Sequence, residues 1–462
     1  MDNRRCTAAA GRTLIRFALL ALCVAGVAGW LAPVTRAAIP GDELWRRTVD
    51  VGGENDGASA LAVGPGGTAV YVSGSVLRTG QIKGDLGVAK YTAAGSRKWL
   101  RTYDGAVHGN EAGEDVVCSR SGFVYVGGYG DRANGEDFLL IKYDKYGHRL
   151  WLRTWDGAAH GNDRIRALAL DADGNIYAAG SSDGSGTSSD AALVKWTPAG
   201  GRAWVRRYDG AAHLFDEARD VVVDDRRDRV YIGGVSWSAD AKSWLLIRYS
   251  LRGKRAWARL LGDPGTSADS SSLALSPGGS VYQAGSMGKT ATADSEALLW
   301  KWTATGTCAW SRPYLGSGDD DYYDVAVDRR GNVCAAGLAY DIIGGHDRAR
   351  IAAYTPGGAL IGETNVGNTG TDLRWRAIAC DGAGNVYAAG TWTSTTYAAD
   401  YVVEKFSGTL QPVWQRIVRQ ADVDLDDGPA DIAVRRGTNA GVYVTGRGAA
   451  ATWDWFTLKF KP

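Results

Sequence analysis

"GNDRIRALALDADGNIYAAG" spans Gly161–Gly180, and "AALVKW" (Ala191–Trp196) and "AWVRRY" (Ala203–Tyr208) follow it. Four short apolar runs, separated by turns rich in glycine and aspartate, make one unit, and that unit recurs along the chain. Tryptophan returns at Trp45, Trp99, Trp151, Trp204, Trp257, Trp310 and Trp414, with Ile361 in the remaining place, at steps of 51–54 residues. An apolar triplet also returns eight times, from "LAV" (Leu61–Val63) and "VVC" (Val116–Cys118) to "IAV" (Ile432–Val434). A period near 50 with four strand-length runs per repeat implies an all-β chain of radial sheets, the β-propeller arrangement.

The strand composition supports this reading. "FLLIKY" (Phe138–Tyr143) and "LLIRY" (Leu245–Tyr249) are nearly continuous apolar runs. Sheets covered on both faces by their neighbours need such runs, whereas a sandwich keeps polar residues at alternate positions. The chain opens on a tryptophan strand, "ELWRRTV" (Glu43–Val49), and closes on a third-type strand, "WFTLKFKP" (Trp455–Pro462). Pairing these two completes the last unit and removes both free edges. The expectation is an eight-bladed β-propeller of four-stranded antiparallel blades over 39–462, its ring closed by the N-terminal strand.

Residues 1–38 differ in kind. Arg4, Arg5, Arg12 and Arg16 precede the apolar run "FALLALCVAGVAGWLAP", and "VTRAA" supplies small residues for cleavage. This is the layout of a secretory signal peptide, with a retained anchor as the alternative, and it places the product outside the cytoplasm. Without this segment 47 basic residues stand against 50 acidic ones. A balance of −3 leaves no surplus to attract nucleic acid or an anionic membrane. Cys118, Cys308, Cys334 and Cys380 remain. Export permits disulfides, so one bridge and buried free thiols both stay open, and no C-x-x-C pair offers a zinc site.

"YLGSGDDDYYDVAVDRRGNVCAAG" (Tyr314–Gly337) and the opening phrase resemble the SBBP-type β-propeller repeat, over nearly the whole of 39–462. The resemblance implies exported bacterial proteins, mostly without assigned chemistry. The family name implies seven blades, where this sequence counts eight. "VYVGGYGD" (Val124–Asp131), followed by Tyr143 and Trp151, is similar to kelch repeats, though only two units carry the double glycine. The glycine four residues before tryptophan, as in Gly95 and Trp99, is similar to the docking motif of quinoprotein propellers.

Antiparallel order places the fourth-to-first and second-to-third loops of every unit on one face, at roughly ten residues each. The short hairpin turns lie on the other, so the long-loop face is the expected binding surface. Four sets of candidates fall there. His108, His160 and His213 repeat within "DGAVHGN", "DGAAHGN" and "DGAAHLF", as metal ligands or as a duplicated loop. Asp422, Asp424, Asp426 and Asp427 alternate before Gly428 in the manner of a calcium loop. Asp115, Asp220, Asp324 and Asp431 precede the apolar triplet in alternate units, where Ala60, Ala167, Ser272 and Ala377 stand in the others. They make either a fourfold carboxylate ring or a set of loop hydrogen bonds. Trp237, Trp392 and Trp453 are candidates for carbohydrate stacking.

Two further repeated acids read as structural. One precedes the first strand by four residues (Asp56, Glu111, Asp163, Asp216, Asp320, Asp427) and suits a backbone cap. The other stands five residues before the third-strand lysine, as in Asp137 with Lys142 and Asp454 with Lys459, and suits a local polar pair. No G-x-S-x-G phrase, sialidase-type Asp box or vicinal cysteine pair is present. The resulting expectation is a non-catalytic, monomeric scaffold that binds protein or glycan, with no cofactor beyond calcium. A quinoprotein-like dehydrogenase or a polysaccharide hydrolase or lyase, active at the channel mouth, is the alternative.

Overall fold

The structure is a computed structural model. It describes residues 39–462 except 53–54, 263, 290–293, 315, 317, 368–369, 395–399, 419–427, 436, 438 and 450–452. The described residues form thirty-two strands and no α-helix, with short 3₁₀ turns at Pro65–Gly67 and Asp225–Arg227. Every unit is a four-stranded antiparallel meander. Unit 3, for example, runs Asp163–Leu170, Ile176–Asp183, Ser189–Trp196 and Arg202–Tyr208 in spatial order. Units 4 and 5 share one sheet through a single parallel bridge, Lys242 to Ser267. The fourth strand of the last unit is supplied by the chain's beginning: Glu43–Val49 pairs antiparallel with Trp453–Phe460.

The sheets stack as radial blades. The first strand of each unit packs against the first strand of the next, and that of unit 8 (Gly428–Arg435) packs against that of unit 1 (Gly57–Val63). The third strands, such as Gly135–Tyr143, are buried along most of their length, because both faces are covered by neighbouring sheets. Fourth strands, such as Arg202–Tyr208, are half-exposed and form the rim. Inner first strand, buried middle and outer fourth strand together define a β-propeller.

The repeated tryptophans bind blade to blade. Trp99 Nε1 donates to Lys145 O at 3.3 Å, and Trp204 Nε1 to Leu251 O at 3.2 Å, in the third-to-fourth turn of the following unit. Two residues on, Arg101 Nε donates to Gly147 O and Arg206 Nε to Gly253 O in the same turns. These glycines have φ of +86° and +82°, and a Cβ on either would lie within 3 Å of the tryptophan ring. The third-strand lysine reaches the same turn, as when Lys142 Nζ donates to Pro198 O at 2.7 Å. Where tryptophan is replaced by Ile361, the facing glycine is replaced by Leu410, at φ +58°. Its buried side chain packs in the cluster that Ile361 joins, so the smaller residue on one blade makes room for the larger on the next.

The expected lysine–acid pair does not form. Lys142 points to the short-turn face, whereas Asp137 lies near the other end of its strand, toward the loop face. The loops of that face are also shorter than expected, because the strands run further. Fourth-to-first loops take seven residues in the early units, such as 104–110, and the second-to-third connection of unit 2 is only 133–134.

Candidate functional site

Each first strand carries one β-bulge, and its position is the same in all eight units. The register shifts across Ala58/Ala60, Gly113/Asp115, Ile165/Ala167, Ala218/Asp220, Ser270/Ser272, Tyr322/Asp324, Trp375/Ala377 and Pro429/Asp431. An extra residue per strand re-aims side chains at the mouth of the axis. The alternating aspartates stand directly after it. Asp115 Oδ1 accepts from Val116 N at 2.6 Å, and its Oδ2 accepts from Leu168 N of the next unit at 2.7 Å. Asp220 bridges in the same way to Leu273 N (2.7 Å), Asp324 to Ile378 N (2.9 Å) and Asp431 to Leu61 N (2.9 Å).

The ring is therefore a set of four latches, joining unit 2 to 3, 4 to 5, 6 to 7 and 8 to 1. Ala60, Ala167, Ser272 and Ala377 each stand one residue before the peptide N–H that donates to the neighbour's carboxylate. Burial raises the carboxyl pKa to about 6 for Asp115 and Asp324, and to about 7 for Asp220 and Asp431. Charges within the ring add to the rise at Asp220 and Asp431.

A cavity of about 770 Å³ opens on the loop face over units 7, 8 and 1. Arg374, Arg376, Asp372, Thr391 and Thr393 of unit 7, Arg447 and Ala430 of unit 8, and Ala58 and Ser59 of unit 1 line it. Arg376, Ala430 and Ser59 are the bulge residues of their strands. Elsewhere around the mouth the arginines are neutralised. Bulge residue Arg166 pairs with Glu217 (2.9 Å) and Glu114 (3.6 Å), and bulge residue Arg219 pairs with Glu217 (3.0 Å) and Asp269. In the cavity Arg374 pairs with Asp347, and the Asp372 carboxylate accepts from Asp347 N at 2.8 Å. Arg376 is exposed, and its guanidinium lies 4.7 Å over the Tyr323 ring with no carboxylate partner among the described residues. The sector thus brings three guanidiniums together, with Asp347 and Asp372 beside Arg374 and Asp321 near Arg376. None was singled out by the sequence, because only the fold brings Arg447 beside Arg374 and Arg376.

The three histidines do not converge. His108, His160 and His213 are exposed loop residues at φ of +50°, +54° and +55°. Each Nδ1 lies 2.6–2.7 Å from the aspartate four residues earlier, Asp104, Asp156 or Asp209. That hydrogen bond raises the imidazole pKa of His108 and His160. What the loops assemble instead is an acid triad in each of three places: Asp85, Asp104 and Glu111; Asp137, Asp156 and Asp163; Asp190, Asp209 and Asp216. The loop aspartate, the acid opening the first strand and the acid before the third-strand lysine are separate in sequence, and the fold gathers them. The first-strand acid also caps, since Asp163 Oδ2 accepts from Gly157 N (2.7 Å) and Asp216 Oδ2 from Gly210 N (2.6 Å). Asp56 and Asp320 cap their loops likewise.

The remaining candidates divide. Trp237 is exposed at the end of its strand, against the Phe215 ring at 5.6 Å. Trp392 is half-buried on the hydrophobic cluster, while its neighbours Thr391 and Thr393 face the cavity, as the period of two requires. The Trp453 side chain and Asp422, Asp424, Asp426 and Asp427 lie outside the described residues. The four described cysteines are unbridged, with the Cys380 thiol set against that of Cys334. No described helix is long and apolar enough to cross a membrane.

The fold and site so described are those of a β-propeller with a polar axial mouth. No protein-family model and no curated protein matches the sequence. Among solved structures the chain is similar to a periplasmic gluconolactonase of Pseudomonas aeruginosa, at 13% identity over 67% of this chain and 85% of that one, TM-score 0.44. It is also similar to the β-propeller domain of the Trilobed protease from Pyrococcus furiosus, at 9% identity over 80% and 97%, TM-score 0.46. The WD40 domain of SCAP from fission yeast is similar at 8% identity over 90% and 98%, TM-score 0.49. The propeller assignment rests on the sheets and their stacking, not on these likenesses.

Proposed function

We propose that the chain is an exported, monomeric, non-catalytic propeller of the SBBP repeat type that binds an acidic glycan at its axial mouth. In this reading it has eight blades, and the strand Glu43–Val49 closes the ring. The observation that carries the binding assignment is the cavity over units 7, 8 and 1, lined by Arg374, Arg376 and Arg447, of which Arg376 is exposed and makes no ion pair among the described residues. Guanidinium forks match carboxylates in shape and charge, and the two threonine side chains suit sugar hydroxyls. The equivalent arginines of units 3 and 4, Arg166 and Arg219, already hold glutamates.

Calorimetric titration of the full chain with an oligouronate and with its neutral counterpart tests the proposal. Binding of the oligouronate alone, lost in Arg376→Ala, supports it, and equal binding of both or of neither refutes it. A protein partner is the second reading, favoured by exposed apolar tips on the same face: Ile82, Val107, Leu214, Trp237, Ile342 and Ile343. The catalytic alternative would place an acid at Asp321, whose pKa burial raises to about 7 near Arg376 and Arg219. Chain shortening of the bound glycan would decide for it.

A further inference from the structure

We infer that the three acid triads are calcium sites, one at each loop that carries the repeated histidine. In every triad one carboxylate oxygen from each residue lies within 4.8 Å of the others, and two of the three acids are buried in the first and third. Three oxygens at that limit would lie about 2.8 Å from a common centre, so the triads reach the 2.3–2.6 Å that calcium takes with little contraction. Magnesium, at about 2.0–2.1 Å, demands a tighter and more nearly octahedral shell.

The buried oxygens also lack partners. Both carboxylate oxygens of Glu111, Asp163 Oδ1, Asp216 Oδ1 and Asp104 Oδ1 complete no hydrogen bond. Glu111, Asp163 and Asp216 are each no more than 1% exposed, out of reach of bulk solvent. Outside the acids themselves, the buried Ser182 hydroxyl is aimed at the second triad. It and Asp163 Oδ1 lie 2.4 and 2.8 Å from one point, where a Cβ on Gly157 would stand, yet the hydroxyl completes no hydrogen bond. A cation between these atoms would satisfy both. The first triad adjoins an open cavity of about 230 Å³ lined by Asp85, Asp104 and His108, which gives an ion access.

Charge balance points to a divalent ion. Arginines attend every triad: Arg78 at 3.0 Å from Asp85 in the first, Arg132 at 3.6 Å from Asp137 in the second, and Arg207 at 2.9 Å from Asp190 in the third. Arg132 also stands 3.9 Å from Glu111. One guanidinium against three carboxylates leaves two negative charges at the third triad, and the first two triads, six carboxylates against Arg78 and the shared Arg132, leave four between them. The imidazoles are not ligands in this arrangement. Each Nδ1 holds the loop aspartate through Oδ2, and in the first triad the other oxygen, Asp104 Oδ1, is buried and completes no hydrogen bond.

Equilibrium dialysis of the full chain against calcium, with metal analysis, counts the ions. The triple variant Glu111→Gln, Asp163→Asn, Asp216→Asn is expected to bind three fewer calcium ions per chain than the wild type. The count as a difference separates these sites from any ion at Asp422–Asp427. Should that variant fail to fold, Asp104→Asn, Asp156→Asn, Asp209→Asn alters the partly exposed corner of each triad and carries the same expectation, with Asp156→Asn alone losing one ion. Equal counts in wild type and variants overturn the proposal, as does displacement of the calcium by equimolar magnesium.

Discussion

The four aspartate latches set a pH dependence whose sign can be worked out. Asp220 is held by two backbone N–H groups, which favour its charge, and by burial, which opposes it. Burial wins, and the native pKa stands at about 7 against 3.8 for the free side chain. Between those values the native state keeps a proton that the unfolded chain releases, so stability falls as pH rises from about 4 to about 7. At 1.36 kcal/mol per unit, the loss between pH 5 and 8 is about 1–3 kcal/mol for Asp220, and the same for Asp431. Asp220→Asn removes this titration while keeping one acceptor for Leu273 N or Val221 N. Its urea midpoint is expected to vary less with pH than that of the wild type, by an amount equivalent to about 1–3 kcal/mol between pH 5 and 8. The buried loop caps Asp56, Asp163, Asp216 and Asp320 titrate in both proteins, so the difference isolates the latch. Parallel pH profiles for the two proteins would refute the reasoning.

Other expectations follow from the blade contacts and the loops. Gly253→Ala forces a Cβ to 2.9 Å from the Trp204 ring at φ +82°, and is expected to lower the melting temperature by several degrees, a cost above about 1 kcal/mol. Ile361→Trp should destabilise by overpacking against Leu410, and adding Leu410→Gly should restore much of the loss in thermal unfolding. His160→Gly relieves a left-handed non-glycine residue and is expected to leave the melting temperature unchanged or higher, and the calcium count unchanged. Among the described cysteines, exposed Cys308 is expected to react first with a thiol reagent. Cys380, whose thiol is raised by the adjacent Cys334 and by burial, should react only on unfolding.

The blades were legible because their signal is written repeatedly: a tryptophan every 51–54 residues and doubly covered third strands state both the period and the stacking. The alternation of Asp115, Asp220, Asp324 and Asp431 was legible too, but its meaning was not. Whether a carboxylate faces an empty axis or the next strand's N–H depends on the bulge before it, which has no residue signature: Ser59, Glu114, Arg166 and Ala430 all occupy that place. The triads were visible only as three unrelated repeats, since Asp137, Asp156 and Asp163 meet through the sheet and not along the chain. Arg376 carried no signal either. It differs from Arg166 and Arg219 in making no ion pair among the described residues, and that is a fact of neighbouring blades.

The central claim is that the arginine-lined mouth selects an acidic glycan, and calorimetric titration of the full chain with an oligouronate tests it most directly. The account predicts saturable binding that weakens with added salt, falls at least tenfold in Arg376→Ala and in Arg447→Ala, and is absent for the neutral oligosaccharide. Binding that survives both substitutions, or that treats the charged and neutral sugars alike, would contradict it.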